Sequence, residues 1–493
     1  MLNPLKKLAG QTAIYGVSSI VGRFLNYLLT PFWTRVFLVG QFGVITEMYA
    51  YVAFLVVFLT YGMETTFFKF VNRKGANKDT VFSTVLFSVV ATGATFIAVS
   101  TVFAQSLADW LMYPEHKEYI VWFAIIVGVD AISSIPLAKL RQQNKAIKFV
   151  TVNLINVLVN IGLNLFFLVY CKGLFDQGDT NFLVETFYNP EIGVGYVFIA
   201  NLIASLVKFL VMIPDMVSVK MIFDKKLYRK MIPFTVPLLF VGLAGIINET
   251  LDRVLLKNLL VRKMSWDDAM IQLGLYGANY KLAMIVGMFI QAFRYAAEPF
   301  FFNQEKNKGS MKMFADVMTY FVIIVSAMFL LVVLYLDDFF KYFMHESFWP
   351  GLKVVPILLM ANICLGIFTN LAIWYKLSSK TGFGALIAIF GAVVTIILNL
   401  ILIPIYGFMG SAWATLVCYF LMMVVSYRLG QKHYPIPYNL KKAGLYVGLA
   451  IAIYFVFIQV QNVGETNFAL STLLLLIYLV LVYFIEQKKL FNT

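Results

Sequence analysis

Long apolar runs separated by short polar stretches recur along the whole chain, each roughly 18 to 28 residues long and none alternating as a strand would. Because about 20 apolar residues cross a bilayer as a helix, the pattern predicts an all-α polytopic membrane protein. The same continuity excludes an outer-membrane barrel, whose strands alternate lipid-facing and lumen-facing residues. About fourteen spans are read, at 8–34, 42–69, 80–105, 119–139, 148–170, 193–213, 231–258, 273–302, 313–335, 352–376, 383–403, 408–428, 443–460 and 468–485. An even number puts both termini on one side.

The loops choose that side. With both ends cytoplasmic, the inner loops hold 26 of the 39 Lys and Arg residues, in clusters such as 69–78, 139–148, 220–230 and 428–442. The outer loops hold eight, Lys257 and Lys263 among them. Basic residues are retained on the cytoplasmic side, so this bias fixes the expected orientation. The net charge of +14 on a chain that is 61% hydrophobic and 13% charged is explained by those loops, and no nucleic-acid partner is expected. Cys171, Cys364 and Cys418 supply neither a disulfide framework nor metal-ligand spacing. The N-terminal stretch MLNPLKKLAG enters a long helix without a cleavage site and reads as a retained first span.

Two stretches align without a gap at an offset of 234 residues, 42–69 and 276–303. They share Gly43/Gly277, Val52/Val286, Tyr61/Tyr295, Glu64/Glu298 and the pair Phe67-Phe68/Phe301-Phe302, while Glu47 faces Lys281 with opposite sign. An acid that lipid would reject, at the same depth before the same aromatic pair, marks corresponding helices of a duplicated membrane protein. Asn164 and Asn399 recur in the fifth and eleventh spans, each followed by a glycine-led helix start at Gly193 and Gly407. Spans one to six and seven to twelve both begin in the cytoplasm, which makes the repeat parallel. The expected organisation is a first six-helix lobe at 1–220, a second at 221–430, and two additional helices at 431–493.

No Walker A loop, HExxH or GxSxG element is present, so no catalytic residue and no enzyme activity are expected. Chemistry then rests on the charges within spans: Arg23, Glu47, Glu64, Asp130, Lys208, Glu249, Asp252, Arg253, Lys281, Arg294 and Glu298. Each costs a few kcal/mol at the bilayer centre if it meets lipid. Lys208 reads as snorkelling from an inner helix end. Glu64 and Glu298 read either as caps of an inner gate or as ion-coupling groups. Arg23, near mid-membrane, reads as an anion site or as a salt-bridge partner of Glu47, since its guanidinium fork suits phosphate. Arg294 and Glu298, and Glu249 and Arg253, are spaced to neutralise each other along one helix. Asp252 then lacks a partner and becomes a site for H+ or Na+. Pro31, Pro233, Pro237, Pro299 and Pro356, with Gly62, Gly242 and Gly245, are expected to kink spans and permit gating.

The opening run LAGQTAIYGVSSIVGRFLNYLLTPFWTRVFLVGQFGVITEMYAY resembles that of bacterial polysaccharide transporters, the O-antigen-type oligosaccharide flippases. The run from Asn399 through Pro404, Tyr406, Gly407 and Gly410 to Thr415 resembles their eleventh-to-twelfth-span signature. The resemblance spans all fourteen helices and reaches the superfamily of multidrug, oligosaccharidyl-lipid and polysaccharide exporters. It implies two lobes about a central cavity open alternately to each side, in a bacterial inner membrane. The implied substrate is an undecaprenyl-diphosphate-linked oligosaccharide for O-antigen- or capsule-type synthesis, with membrane lipids and polymerase or glycosyltransferase enzymes as partners. By the same resemblance Arg23, Lys281 and Arg294 would hold the diphosphate. Glu47, Glu64, Asp130, Glu249, Asp252 and Glu298 would couple an ion or gate the cavity, with H+ or Na+ in place of any cofactor. The second span, with Glu47 and Glu64 and no cavity arginine, departs from the lipid II flippase pattern. A drug or metabolite antiporter, a lipid II flippase and a non-transporting scaffold for polymer synthesis stand as alternatives.

Overall fold

The computed structural model describes residues 21–22, 24–179, 181–305, 309–463 and 468–490. Among them, 13 helices are long and apolar enough to cross a membrane. They correspond one for one to the second through fourteenth expected spans, so the chain is a multi-pass membrane protein. The first expected span falls largely outside the described residues, and its described part includes the short helix Thr30–Val36.

Contacts divide the chain into two compact units: Val44–Val254 with the described residues before Thr30, and Thr30–Gly43 with the chain from Leu255 onward. In the first unit lie most of span two (Val39–Val71), three (Lys78–Val102), four (Lys117–Gln142), five (Ala146–Asp176), six (Gly195–Val217) and most of seven (Lys225–Leu260). In the second lie eight (Trp266–Phe302), nine (Ser310–Leu334), ten (Glu346–Leu377), eleven (Gly382–Tyr406), twelve (Phe408–His433), thirteen (Leu440–Gln461) and fourteen (Phe468–Gln487).

The duplication is visible in who packs on whom. Span three packs on four, four on six, and five on six; nine packs on ten, ten on twelve, and eleven on twelve. Two and eight each lie against the fourth helix of their own repeat. The buried asparagines match as well: Asn164 and Asn399 each donate Nδ2 to the carbonyl one turn earlier, Asn160 and Thr395, at 2.8 Å. Gly193 (φ 51°, ψ −121°) and Gly407 (φ 58°, ψ −137°) start the sixth and twelfth spans in a backbone region that only glycine enters freely.

The contact units cut across the six-helix lobes of the repeat, and close packing gives the reason. The linker into span seven is tied to span three, where Ser83 Oγ donates to Ile222 O at 2.7 Å and Thr84 Oγ1 accepts from the Asp224 amide at 3.2 Å. Further along, the Thr66 and Thr235 hydroxyls bond at 2.8 Å, and Lys69 Nζ stands 3.3 Å from the Phe234 ring centroid. In the second unit, a Cβ on Gly274 would lie 1.9 Å from Val39 O and one on Gly43 would lie 2.4 Å from Met270 O. Only glycines let the start of span two press against the start of span eight so closely.

Of the expected proline breaks, Pro31 and Pro356 stand in the first turns of the helices Thr30–Val36 and Val355–Leu371, while the other three do not end a helix. The seventh helix continues through Pro233 and Pro237, and the eighth continues through Pro299 to Gln304. The interruption falls instead in span two, at Tyr61 (φ 32°) and Gly62 (φ 76°). A Cβ on Gly62 would sit 2.7 Å from Leu238 Cβ, so this left-handed turn is where the second helix seats against the seventh. Spans thirteen and fourteen are anchored on and just beyond nine by polar bonds: Ser471 Oγ to Leu334 O at 2.8 Å, Tyr335 to Thr472 at 2.7 Å, and Gln461 to Asp337 at 2.6 Å. Hydrogen bonds of this kind hold helices together where lipid supplies no hydrophobic drive.

Candidate functional site

The intramembrane charges resolve into pairs that the helices bring together. Glu64 lies on span two, just after the Gly62 turn, and accepts from Arg141 Nη2 at the end of span four, 2.5 Å away. In the second repeat, Glu298 on span eight accepts from Lys376 at the end of span ten. The bases are thus as well matched as the acids, at equivalent ends of the fourth helix of each repeat. Neither was visible as a partner in the sequence, because both lie at or beyond the end of the apolar run. Their long stems let the charge turn back into the bundle.

Glu298 therefore bonds across to Lys376, not along its own helix to Arg294. Arg294 is exposed and makes no ion pair among the described residues; its guanidinium carbon lies 5.7 Å from the Tyr295 ring centroid. Lys208 does not snorkel. Its Nζ meets Asp130 Oδ1 at 2.7 Å, with the lysine side chain 12% and the aspartate 27% exposed. Also on span six, Asn201 Nδ2 donates to the Tyr49 hydroxyl of span two at 3.1 Å.

Glu47 is fully buried. Its Oε2 accepts from the Tyr113 hydroxyl at 2.5 Å and its Oε1 from Tyr51 at 3.1 Å. Tyr113, in the loop before span four, has its pKa held well above the ordinary 10, first by burial and then by the Glu47 carboxylate, so it remains a donor at neutral pH. Lys281, the matching position in the second repeat, is half-buried and has partners of its own. Glu249 is exposed and forms no ion pair among the described residues, so the expected pairing with Arg253 is not made. Asp252, expected to stand alone, is buried, and its Oδ1 accepts from the Arg253 amide at 2.9 Å. Lys257, expected in an outer loop, lies within the seventh helix and is 1% exposed. Arg23 lies outside the described residues. Among the described residues, no group of three His, Cys, Asp or Glu side chains is placed to hold a metal ion.

Between spans eight and ten, Arg294, Glu298, Phe301, Thr369, Asn370 and Lys376 line a narrow cleft of about 10 Å³. Asn370 is 4% exposed, and its Nδ2 has no hydrogen-bond partner among the described residues. Sequence reasoning singled out Arg294 and Glu298 here but not Asn370, since a lone asparagine in an apolar run carries no local signal.

A family model described as polysaccharide biosynthesis protein matches residues 8–304. No curated protein matches the chain by sequence. Among solved structures, the chain is similar to a lipid II flippase MurJ in an inward closed conformation, at TM-score 0.69 and 14% identity over 95% of this chain and 98% of that one. It is also similar to an inward-facing multidrug resistance MATE family transporter of the MOP superfamily, at TM-score 0.64 and 13% identity over 85% and 97%. It is similar as well to an outward-facing multidrug resistance MATE family transporter of the MOP superfamily, at TM-score 0.57 and 13% identity over 87% and 94%. At such identities the likeness is one of fold: the chain has the fold of MOP-superfamily transporters.

Proposed function

Because the chain belongs to the polysaccharide biosynthesis protein family, we propose that it is a flippase carrying an undecaprenyl-diphosphate-linked oligosaccharide across the bacterial inner membrane. Both termini lie in the cytoplasm in this reading, as the basic loops favour. The sugars serve O-antigen- or capsule-type polymer synthesis, and the enzymes that build and polymerise them are the functional partners. The cargo's diphosphate is drawn by cations within the membrane, Arg23, Lys281 and Arg294. Access alternates between the two sides, and an H+ or Na+ gradient or the membrane potential resets the carrier through the acids on spans two, four, seven and eight.

The observation that carries this reading is the cation at the cleft between spans eight and ten. Glu64, Glu298 and Asp130 are each neutralised by a base, whereas Arg294 is exposed beside a cleft with no acid bound to it among the described residues. A residual cation suits a diphosphate and repels an organic cation. The experiment is transport by the purified full chain in liposomes, with Arg23→Ala and Lys281→Ala at matched membrane levels. Loss of flipping in both supports the reading, and unimpaired transport overturns it.

Glu249 favours a second reading, an ion-coupled drug or metabolite antiporter of the same superfamily. It is an exposed acid on span seven without an ion pair among the described residues, as a site for an organic cation or a coupling ion requires. Gradient-driven uptake of a cationic dye, abolished by Glu249→Gln, would establish it.

A further inference from the structure

The two repeats differ in how their interiors are filled. On span five, Asn153, Asn156, Asn160 and Asn164 fall within about 80° of one another around the helix and run about 17 Å along it. Ile147, Leu158, Leu165 and Val169 occupy the opposite side and are exposed, as lipid-facing side chains are. The amides therefore face into the first unit, and Asn153, Asn156 and Asn160 are only half-buried there, so solvent reaches that face. Asn164 Nδ2 donates to Asn160 Oδ1 at 3.2 Å, and Asn160 Nδ2 donates to Asn26 Oδ1 of span one at 3.3 Å. The relay ends on Asn26, whose side chain is exposed. Spans five and six run antiparallel and share the buried cluster of Val152 and Met212, so Lys208 lies level with Asn156. Its bond to Asp130, which is 27% exposed, cancels the charge and leaves the surroundings polar but neutral.

The second repeat fills the same place with apolar side chains. Matching Asn164 to Asn399, Arg141 to Lys376 and Gly193 to Gly407 sets Ala388, Gly391 and Thr395 where the other three asparagines stand. It sets Leu365 at the place of Asp130 and Met422 at that of Lys208. Leu365 and Met422 pack in one apolar cluster with Cys418, and Thr395 Oγ1 is turned onto Cys418 Sγ at 3.1 Å. The fold therefore does not require polar groups there, and one copy alone keeps them despite what unpaired amides cost inside a membrane protein. Polar residues that face inward from a span mark substrate paths. An amide offers a donor and an acceptor side by side, as a hydroxyl does. Amides one turn apart recur about every 5–6 Å, close to the length of one pyranose in a chain. A neutral face favours neither an anion nor a cation.

We propose that this face of the first unit is a binding track for uncharged saccharide, with Asn26, Asn160 and Asn153 as its hydrogen-bonding groups. It deepens the flippase reading and rests on it only for the source of the saccharide, which is either the sugar portion of a lipid-linked cargo or a free oligosaccharide.

The test is protection of a cysteine placed at the edge of the track. The natural cysteines Cys171, Cys364 and Cys418 are buried, so the purified full chain carrying Asn26→Cys reports mainly on that position with a hydrophilic methanethiosulfonate reagent. Asn26→Cys is expected to react, and maltotriose at tens of millimolar is expected to slow the reaction. Adding Asn160→Leu should leave the rate without sugar unchanged and raise the maltotriose needed about tenfold. Asn153→Ala serves the same comparison if Asn160→Leu folds poorly. Thr395→Cys, on the buried face of the second repeat, should resist the reagent throughout. An unreactive Asn26→Cys, no protection by maltotriose, or protection indifferent to the asparagine variants overturns the track. Protection by tetraethylammonium and not by maltotriose also overturns it and gives the face to an organic cation. An undecaprenyl-diphosphate oligosaccharide that protects where sugar-free undecaprenyl diphosphate does not assigns the lipid-linked cargo as the source; protection by maltotriose without that difference assigns free oligosaccharide. The flippase reading stands or falls separately, on transport by the wild-type chain.

Discussion

Removing Asp130 or Lys208 alone should destabilise the protein far more than removing both. The two charges meet at 2.7 Å across spans four and six, with the lysine side chain 12% and the aspartate 27% exposed. At an effective dielectric of about 20, that separation corresponds to roughly 6 kcal/mol of Coulomb attraction. Desolvation of both groups takes back part of it, which leaves a coupling of about 4 kcal/mol. Asp130→Asn strands a nearly buried ammonium and should cost about 3 kcal/mol, whereas Lys208→Met leaves a less buried aspartate and should cost about 2. The double variant should fall within about 1 kcal/mol of wild type. For a chain of 493 residues, 3 kcal/mol corresponds to a midpoint drop of about 3 °C. The assay is thermal unfolding of detergent-purified protein followed by size-exclusion chromatography. A double variant whose drop equals the sum of the two single drops would refute the pairing and return Lys208 to the lipid interface.

Further outcomes follow from the same geometry. Gly62→Ala should lower the melting temperature, by about 1–3 kcal/mol of stability, because it adds a Cβ at φ 76° and 2.7 Å from Leu238; a melting temperature unchanged within error would show that span two relaxes there. Gly407→Ala should cost more than Gly193→Ala at nearly the same backbone angles, since a Cβ on Gly407 would meet Gln272 Oε1 at 2.2 Å and one on Gly193 would meet nothing within 4 Å. Paired melting curves of the two variants decide that ranking. Glu64→Gln should change stability by no more than about 1 kcal/mol, because both partners are about a third exposed and screened; a large loss would mean that the pair is dry in the bilayer.

How much of this was legible beforehand differs from element to element. Spans two to fourteen followed from apolar length alone, since a bilayer admits few alternatives to a helix. Glu64 and Glu298 were legible as equivalent because they sit inside apolar runs, where any acid stands out. Their partners Arg141 and Lys376 lie 77 and 78 residues away in sequence, past the ends of their runs, so apolar length assigned them to loops. Along-helix spacing misassigned Arg294 to Glu298 and Arg253 to Glu249, because i,i+4 proximity is open to any helix while the cross-helix partner depends on packing. The break at Gly62 was hidden by prolines, which draw attention as helix breakers yet lie within unbroken helices at 233, 237 and 299. What reveals Gly62 is the absence of a Cβ where Leu238 arrives, a fact about a neighbour 176 positions away in sequence. The contact units departed from the repeat lobes for a related reason: repeats follow ancestry, whereas contacts follow the small residues and hydroxyls that let spans two and seven close together.

The central claim is that the cargo is an anionic lipid-linked sugar, and its most direct test is a leaflet assay. The purified chain is reconstituted into liposomes containing a labelled undecaprenyl-diphosphate oligosaccharide, and the fraction of label open to an impermeant reagent is followed with time. The account predicts that protein-containing vesicles expose the pool initially shielded inside, that empty vesicles do not, and that Lys281→Ala slows the exposure. Vesicles that leave the shielded pool untouched while taking up a cationic dye against a proton or sodium gradient would contradict it and establish the antiporter instead.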